Sequence, residues 1–197
     1  MKYTHLSLEK YLEELASENP IPGGGSASAY AACLGMGLIQ MVGRVALARK
    51  KKSSLGPEEE EKDRENRLTV GKIVEVVEKI KKDALEIVNL DPKVYQEVIQ
   101  AYAHPEKLED ALQNSFRLQA DLGLLAVMAF EWNKNLLGLV SGSIQNDLRV
   151  SEALLEAAFR GAVHTAEINI RCMKDPDKKG HAEKALEELK ARMEKAK

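Results

Sequence analysis

The chain has 197 residues, a formal net charge of −2, 30% charged residues and 5% aromatic residues. Its length fits one domain with a sizeable core. The slightly acidic balance excludes a nucleic-acid-binding protein that depends on bulk electrostatic attraction. Alanine, leucine, glutamate and lysine dominate the composition, which favours helices over sheets.

The two cysteines and one long uncharged segment indicate in which cellular compartment the protein functions. Cys33 and Cys172 lie far apart in apolar helical patterns, so we interpret them as buried free thiols in a reducing, cytoplasmic compartment. The acidic N-terminal residues lack the apolar region of a signal peptide. Residues 20–43 carry no charge, but they are rich in glycine, alanine and serine. We therefore predict a buried central helix there and no membrane span.

Helical patterns begin near the N-terminus. Ser7 is predicted to open a short helix that ends before Pro20. A second helix is predicted from about Ser26 to Arg49, with Ser26 as its N-cap. Its small residues form ridges that let another helix backbone approach closely. These ridges comprise Ala27, Ser28, Ala31, Ala32 and Gly35.

The remaining elements are also helical. A third helix begins at the acidic residues 58–61 and is predicted to stop at residues 89–92, before a short fourth helix over 93–102. The fifth helix is predicted to present an apolar seam and to end at Ser141-Gly142-Ser143. The seam comprises Leu118, Leu122, Leu125, Ala129, Trp132, Leu136 and Leu139. Asn146 or Asp147 is predicted to cap the sixth helix. A polar terminal helix follows Pro176. Because no strand pattern occurs, we predict an all-α bundle of long helices in a single domain over residues 1–197.

The run Pro22-Gly23-Gly24-Gly25-Ser26 is the first candidate binding element. Glycines let the backbone approach a ligand closely, and a helix N-terminus offers N–H groups and a positive dipole to an anion. The alternative interpretation is a tight turn before a well-capped core helix. No Walker lysine follows and no strand precedes the run, so neither a P-loop nor a Rossmann turn is indicated.

Other polar residues fall at predicted helix junctions. They are Lys50, Lys51, Asp91, Tyr95, Asp147 and Asn169. The alternatives are structural: both aspartates can serve as helix caps, and the lysines can form a solvated helix end. The four histidines are scattered without metal-ligand spacing, so we predict no metal site.

Four segments together resemble a known family. PIPGGGSASA, ALARKKK, DPKVY and NDLRVSEALLEAAFRGAVHTAEINI are similar, in order, to the formimidoyltetrahydrofolate cyclodeaminase family, which includes methenyltetrahydrofolate cyclohydrolases of the serine-cycle type. The resemblance implies a dimer of long-helix bundles that holds a folate substrate near the helix junctions. The implied chemistry requires no metal or redox cofactor. The net charge and the composition of residues 20–43 predict no nucleic-acid or membrane partner.

The resemblance also implies roles for individual residues. The glycine signature is matched by Pro22, Gly23, Gly24, Gly25 and Ser26, and the basic run by Arg49, Lys50 and Lys51. Asp91 and Tyr95 match the central motif, and Asp147 and Asn169 match the C-terminal motifs. We expect the glycine run, the lysines and Asn169 to bind substrate. We expect Asp91, ahead of Asp147, to act as the base with Tyr95 beside it.

The implied activity is a reaction at the carbon between N5 and N10 of tetrahydrofolate. Either 5,10-methenyltetrahydrofolate is hydrolysed or 5-formiminotetrahydrofolate is cyclised with release of ammonia. The formiminotransferase half is not found in this sequence, which favours the cyclohydrolase. Asn146 and Thr165 replace the usual serine and asparagine of the family motifs. The alternative is therefore a catalytically inactive helical protein that binds folate or a protein partner.

Overall fold

A computed structural model describes residues 2–49 and 56–197 of the chain. Its helices, after a 3-10 turn at Tyr3–His5, are α1 (Leu8–Leu15), α2 (Gly24–Ala48), α3 (Pro57–Ala101), α4 (Pro105–Leu137), α5 (Gln145–Cys172) and α6 (Pro176–Ala196). No strand occurs within these ranges, and the predicted all-α class is confirmed.

Helices α2 to α5 form a four-helix bundle in which neighbours in sequence are neighbours in space. α2 packs against α3 and α5, and α4 packs against the same two helices from the opposite corner. Hydrogen bonds join the start of α2 to residue 88 of α3, and the middle of α2 to residue 74, so these helices are antiparallel. α6 covers the outside of α4 and α5.

Small residues bring α2 and α5 together, as the ridge pattern predicted. A Cβ on Gly35 would lie 2.9 Å from the Leu155 side chain, and Ser151 Oγ donates a hydrogen bond of 2.9 Å to the Gly35 carbonyl. A Cβ on Gly161 would overlap the Ser28 hydroxyl. The two backbones therefore approach at a distance that larger side chains would prevent.

The ends of the helices correct several predictions. α3 runs unbroken through Pro92, so the predicted stop and the separate fourth helix are wrong. The cap of α2 is Gly23, not Ser26, and the cap of α5 is Ile144, not Asn146 or Asp147. Ser7 does cap α1, where its side chain accepts from the Lys10 N–H.

The cysteines are both free, and Cys33 is half-buried. Burial raises the pKa of the Cys33 thiol to about 12, whereas Cys172 is exposed near the end of α5. The prediction of two buried thiols is therefore wrong for Cys172.

The outer face of α2 is uncharged over most of its length. α2 is long and apolar enough to cross a membrane by length and composition, and 39% of its most apolar 18-residue window is buried. Leu34, Met41 and Val45 point away from the bundle and are 57%, 37% and 39% exposed. The opposite face lies in the core through Met36, Ile39 and neighbouring residues.

Candidate functional site

The first turn of α2 meets the C-terminal half of α3 at a buried junction. The Ser26 N–H donates to Asp91 Oδ2 over 2.9 Å, and the Ser26 hydroxyl donates to the Val88 carbonyl over 3.0 Å. An N–H in the first turn of a helix has no partner within its own helix. Asp91 supplies that partner from 65 residues away along the chain.

Pro92 explains why the Val88 carbonyl is available. In an uninterrupted helix that carbonyl would accept from the N–H of residue 92, and proline has none. The Ser26 hydroxyl donates its single hydrogen there, so in the 3.1 Å contact between Tyr11 and Ser26 the Tyr11 hydroxyl is the donor. A proline inside α3 and a serine in α2 thus satisfy each other's hydrogen-bonding needs.

Asp91 is the only carboxylate at this junction, within the described part of the chain. It is 9% exposed, and its Oδ1 accepts from Gln119 Nε2 on α4 over 2.7 Å. Burial raises the pKa of Asp91, while the hydrogen bonds from Ser26 and Gln119 act in the opposite direction. A carboxylate with a raised pKa and no cationic partner can accept a proton and release it again.

The glycine run fits this junction closely. A Cβ on Gly25 would overlap Asp91 Oδ1 and would lie 2.6 Å from Gln119 Nε2. A Cβ on Gly24 would meet no heavy atom within 4 Å. Neither glycine has a positive φ. Gly25 therefore admits the protein's own carboxylate, and the space beside Gly24 is open for a ligand.

Tyr95 lies one helical turn after Asp91 and is 40% exposed. It lines an open cavity of about 260 Å³ between residues 19–21 and one face of α3 over residues 95–100. The segment from Pro20 leads directly into the glycine run. The cavity therefore lies beside the segment that enters the first turn of α2.

Asn169 lies toward the same end of the bundle. Gly161 of α5 packs on Ser28 of α2, and Asn169 is two turns further along α5. Asn169 is 7% exposed, and its Nδ2 donates to the Thr165 carbonyl over 3.1 Å within its own helix.

Asp147 lies at the other end of the bundle. It precedes Leu148, whose carbonyl accepts from Asn133 on α4. Asn133 is 14 residues from Gln119 on α4, or roughly 21 Å at the rise of an α-helix. Asp91 and Asp147 therefore do not share a site within one chain. Lys50 and Lys51 lie outside the described residues.

Gln119 is the residue at this junction that the sequence patterns missed. The predicted seam on α4 contained only apolar residues, yet the innermost heptad position also carries two amides. Its residues on α4 are Leu112, Gln119, Ala126 and Asn133, each less than 9% exposed. The signal available in the sequence was that Gln119 stands seven residues from Leu112 and from Ala126, which places all three on one face of the helix.

The fold and the site together define a class of protein: a four-helix bundle with a buried carboxylate at the N-terminus of one of its helices. Residues 7–188 match the model of the formiminotransferase-cyclodeaminase family, and the chain belongs to that family.

The fold is also that of a solved protein. The chain is similar to the crystal structure of formiminotetrahydrofolate cyclodeaminase from Thermotoga maritima, with a TM-score of 0.86 and 21% identity. The similarity covers 98% of this chain and 92% of the other. No curated protein matches the sequence.

Proposed function

We propose that the protein is an enzyme of one-carbon folate metabolism that acts at the carbon between N5 and N10 of tetrahydrofolate. The observation that carries the proposal is the buried Asp91 carboxylate at the open first turn of α2, in a chain of this family. The names of the family and of the similar structure favour the cyclodeaminase over the cyclohydrolase, which reverses the order favoured by the sequence alone.

In the cyclodeaminase reaction, N10 attacks the formimino carbon and ammonia leaves. Asp91 takes the proton from N10 as the new C–N bond forms, and it returns that proton to the departing amino group. The carboxylate is then charged opposite the cationic methenyl bridge, which it stabilises electrostatically. In the cyclohydrolase reaction the same base takes its proton from an attacking water.

The remaining roles follow from where the residues lie. The N–H groups of Gly24 and Gly25 are proposed to bind a carbonyl or anionic part of the folate, beside Pro22 and Gly23. The Ser26 N–H is already occupied by Asp91. Tyr95 is proposed to hydrogen bond the substrate from the adjacent cavity.

The more distant residues have less direct roles. Asn169 is proposed to bind substrate from α5. Lys50 and Lys51 are also proposed to bind substrate, on the basis of the sequence alone. The reaction exchanges C–N bonds without a change of oxidation level, so we propose no cofactor. The two free cysteines support a cytoplasmic location.

We also propose a homodimer with a second copy seated on the outer face of α2. That face exposes Leu34, Met41 and Val45, and an apolar stripe of this length on a bundle helix is typical of a helix–helix interface. A second copy would also be needed for Asp147 to reach the site of Asp91.

Two parallel assays test the activity. The purified chain is given 5-formiminotetrahydrofolate while methenyl absorbance and ammonia are measured, and separately 5,10-methenyltetrahydrofolate while loss of that absorbance is measured. Turnover in one assay identifies the reaction. Tight folate binding by calorimetry with no turnover in either assay would overturn the enzyme proposal and support the binding-protein alternative.

Asp91→Asn and Asp147→Asn provide the matched comparison of the two carboxylates. Loss of the charge at Asp91 is expected to reduce turnover by about 10²-fold or more, the usual scale for loss of general acid–base catalysis. Asp147→Asn is expected to have a smaller effect. The reverse pattern would transfer the role of base to Asp147.

A further inference from the structure

The amide of Gln119 is buried and half satisfied. Gln119 is 1% exposed, and Nε2 donates to Asp91 Oδ1 over 2.7 Å. The other amide atom, Oε1, is enclosed and has no hydrogen-bond partner among the described residues. A buried acceptor without a donor costs free energy, so its presence beside a buried carboxylate calls for an explanation.

The two oxygens of Asp91 face partners of different kinds. Oδ2 accepts from the Ser26 backbone N–H, which can only donate. Oδ1 faces Gln119, whose side chain carries both a donor and an acceptor. Oδ1 is therefore the oxygen whose partner can serve the carboxyl group in both of its protonation states.

We propose that Gln119 is a positioning residue that holds Asp91 in both protonation states by turning its amide over. When Asp91 is ionised, Nε2 donates to Oδ1. When Oδ1 carries a proton, Oε1 accepts from the new O–H. The role in turnover rests on the proposed function, in which Asp91 is the base.

The exchange conserves protons and buried hydrogen bonds. The bond from hydrogen to N10, or to the attacking water, breaks as the O–H at Oδ1 forms, and the same proton later passes to the leaving group. Rotation of the amide pairs Oε1 and releases Nε2, so one amide atom is paired in each state. Because Oε1 has no partner to give up, the rotation breaks no other bond.

The surroundings leave the pairing with Gln119 as the main adjustable contact. α4 contributes Gln119 and α2 contributes its uncharged first turn. Among the described residues, the ionisable group that faces Asp91 is the Tyr11 phenol, with Tyr3 and Tyr30 packed behind it. Burial raises the pKa of Tyr11, which keeps the phenol neutral.

The test compares Gln119→Met and Gln119→Glu with Asn133→Leu in the full chain without substrate. Methionine keeps the length and volume of the side chain but removes donor and acceptor. Asn133 is a matched control because it is a fully buried amide on α4 with an unpaired Oδ1 and no contact with Asp91. The Asp91 carboxyl is titrated by carbon NMR, and the Gln119 amide protons are followed by nitrogen NMR.

Gln119→Met is expected to raise the pKa of Asp91 further, since a donor to the charged form is lost. Gln119→Glu is expected to raise it as well, because two facing carboxyls share one proton. In the unsubstituted chain the Gln119 amide protons shift with the Asp91 titration. Asn133→Leu leaves that titration unchanged. An unchanged titration in Gln119→Met, or an equal change in Asn133→Leu, would overturn the proposal.

Kinetics then separate this proposal from the proposed function. In an active enzyme, Gln119→Met is expected to move the acidic limb of the pH–rate profile to higher pH and to lower kcat about ten-fold, with KM little changed. If the unsubstituted chain turns over no folate, the proposed function fails, and the NMR titration still decides the role of Gln119. A pH–rate profile that keeps its acidic limb in Gln119→Met would count against the proposal.

Discussion

Two of the three consecutive glycines perform different tasks, and the difference is visible only at the residue scale. Gly25 has the Asp91 and Gln119 side chains where a Cβ would be, whereas the space beside Gly24 is empty to 4 Å. Gly25 therefore serves the fold, since it lets a carboxylate reach the first turn of α2. On its Cβ side, Gly24 leaves space for a ligand to approach, whereas Gly25 does not.

A pair of alanine substitutions tests this division. Gly25→Ala is expected to destabilise the protein by about 1–3 kcal/mol, the usual cost of overpacking, because Asp91 and Gln119 must move. Gly24→Ala is expected to leave stability unchanged or raise it by up to about 1 kcal/mol, since alanine favours the helix. Chemical denaturation of both variants measures this. Equal stability of the two variants would contradict the close packing at Gly25.

The burial of Asp91 has a consequence for stability against pH. Because its folded-state pKa is raised above 3.8, the folded protein binds more protons than the unfolded chain in the window just above that value. Stability contributed by this group therefore falls as pH rises through the window. The cost is fully present once the folded carboxyl is ionised.

Asp91→Asn removes that titration and keeps most of the hydrogen bonding. The asparagine oxygen can accept from Ser26, and its Nδ2 can donate to Oε1 of a rotated Gln119 amide. The unfolding free energy of the variant, relative to the unsubstituted chain, is expected to increase from pH 4 to pH 7. Denaturation curves at several pH values measure it. A relative loss of stability as pH rises would show that the carboxylate is stabilising.

Residue patterns predicted Asp91 and the glycine run as a candidate site but missed Gln119. The seam on α4 was predicted from apolar residues, and a glutamine at a core position does not fit an apolar template. Its partner, Asp91, is 28 residues away, so local pattern gave no reason to place an amide inside. The seven-residue spacing from Leu112 places Gln119 on a buried row, but the reason for an amide there is clear only when the carboxylate opposite it is known.

At the scale of the elements, the main difference from expectation is the continuity of α3. The sequence predicts a helix end at Asn89-Leu90-Asp91-Pro92, because proline lacks the N–H of a helical hydrogen bond and the residue before a proline avoids the helical region. The helix continues because the Ser26 hydroxyl satisfies the Val88 carbonyl. That compensation comes from α2, so no window of sequence around Pro92 could reveal it.

A double-mutant cycle tests the compensation between α2 and α3. Ser26→Ala alone leaves the Val88 carbonyl without a donor and is expected to cost about 1–3 kcal/mol. In a Pro92→Ala background, the N–H of residue 92 can satisfy that carbonyl, so Ser26→Ala is expected to cost less. Unfolding free energies of the four proteins give the coupling. Equal costs of Ser26→Ala in both backgrounds would show that proline and serine act independently.

At the scale of the molecule, the all-α bundle followed from periodicity and composition, but the arrangement of the candidate residues did not. Asp91 and the glycine run lie at one end of the bundle, and Asp147 lies at the other. Because neighbouring helices are antiparallel, motifs that follow one another along the chain can lie at opposite ends of the bundle. Periodicity predicts which face of each helix is buried. The register between two packed helices depends instead on close contacts such as those at Gly35 and Gly161.

The uncharged face of α2 leads to a prediction for the assembled molecule. Leu34→Lys places a charge in the middle of that face, where a second copy would have to desolvate it, and is expected to convert a dimer to a monomer. The matched control is Leu124→Lys on α4, diagonally across the bundle, where the side chain is 37% exposed. Light scattering at micromolar concentration measures the mass. A monomeric unsubstituted chain, or loss of the dimer in Leu124→Lys alone, would contradict a dimer built through α2.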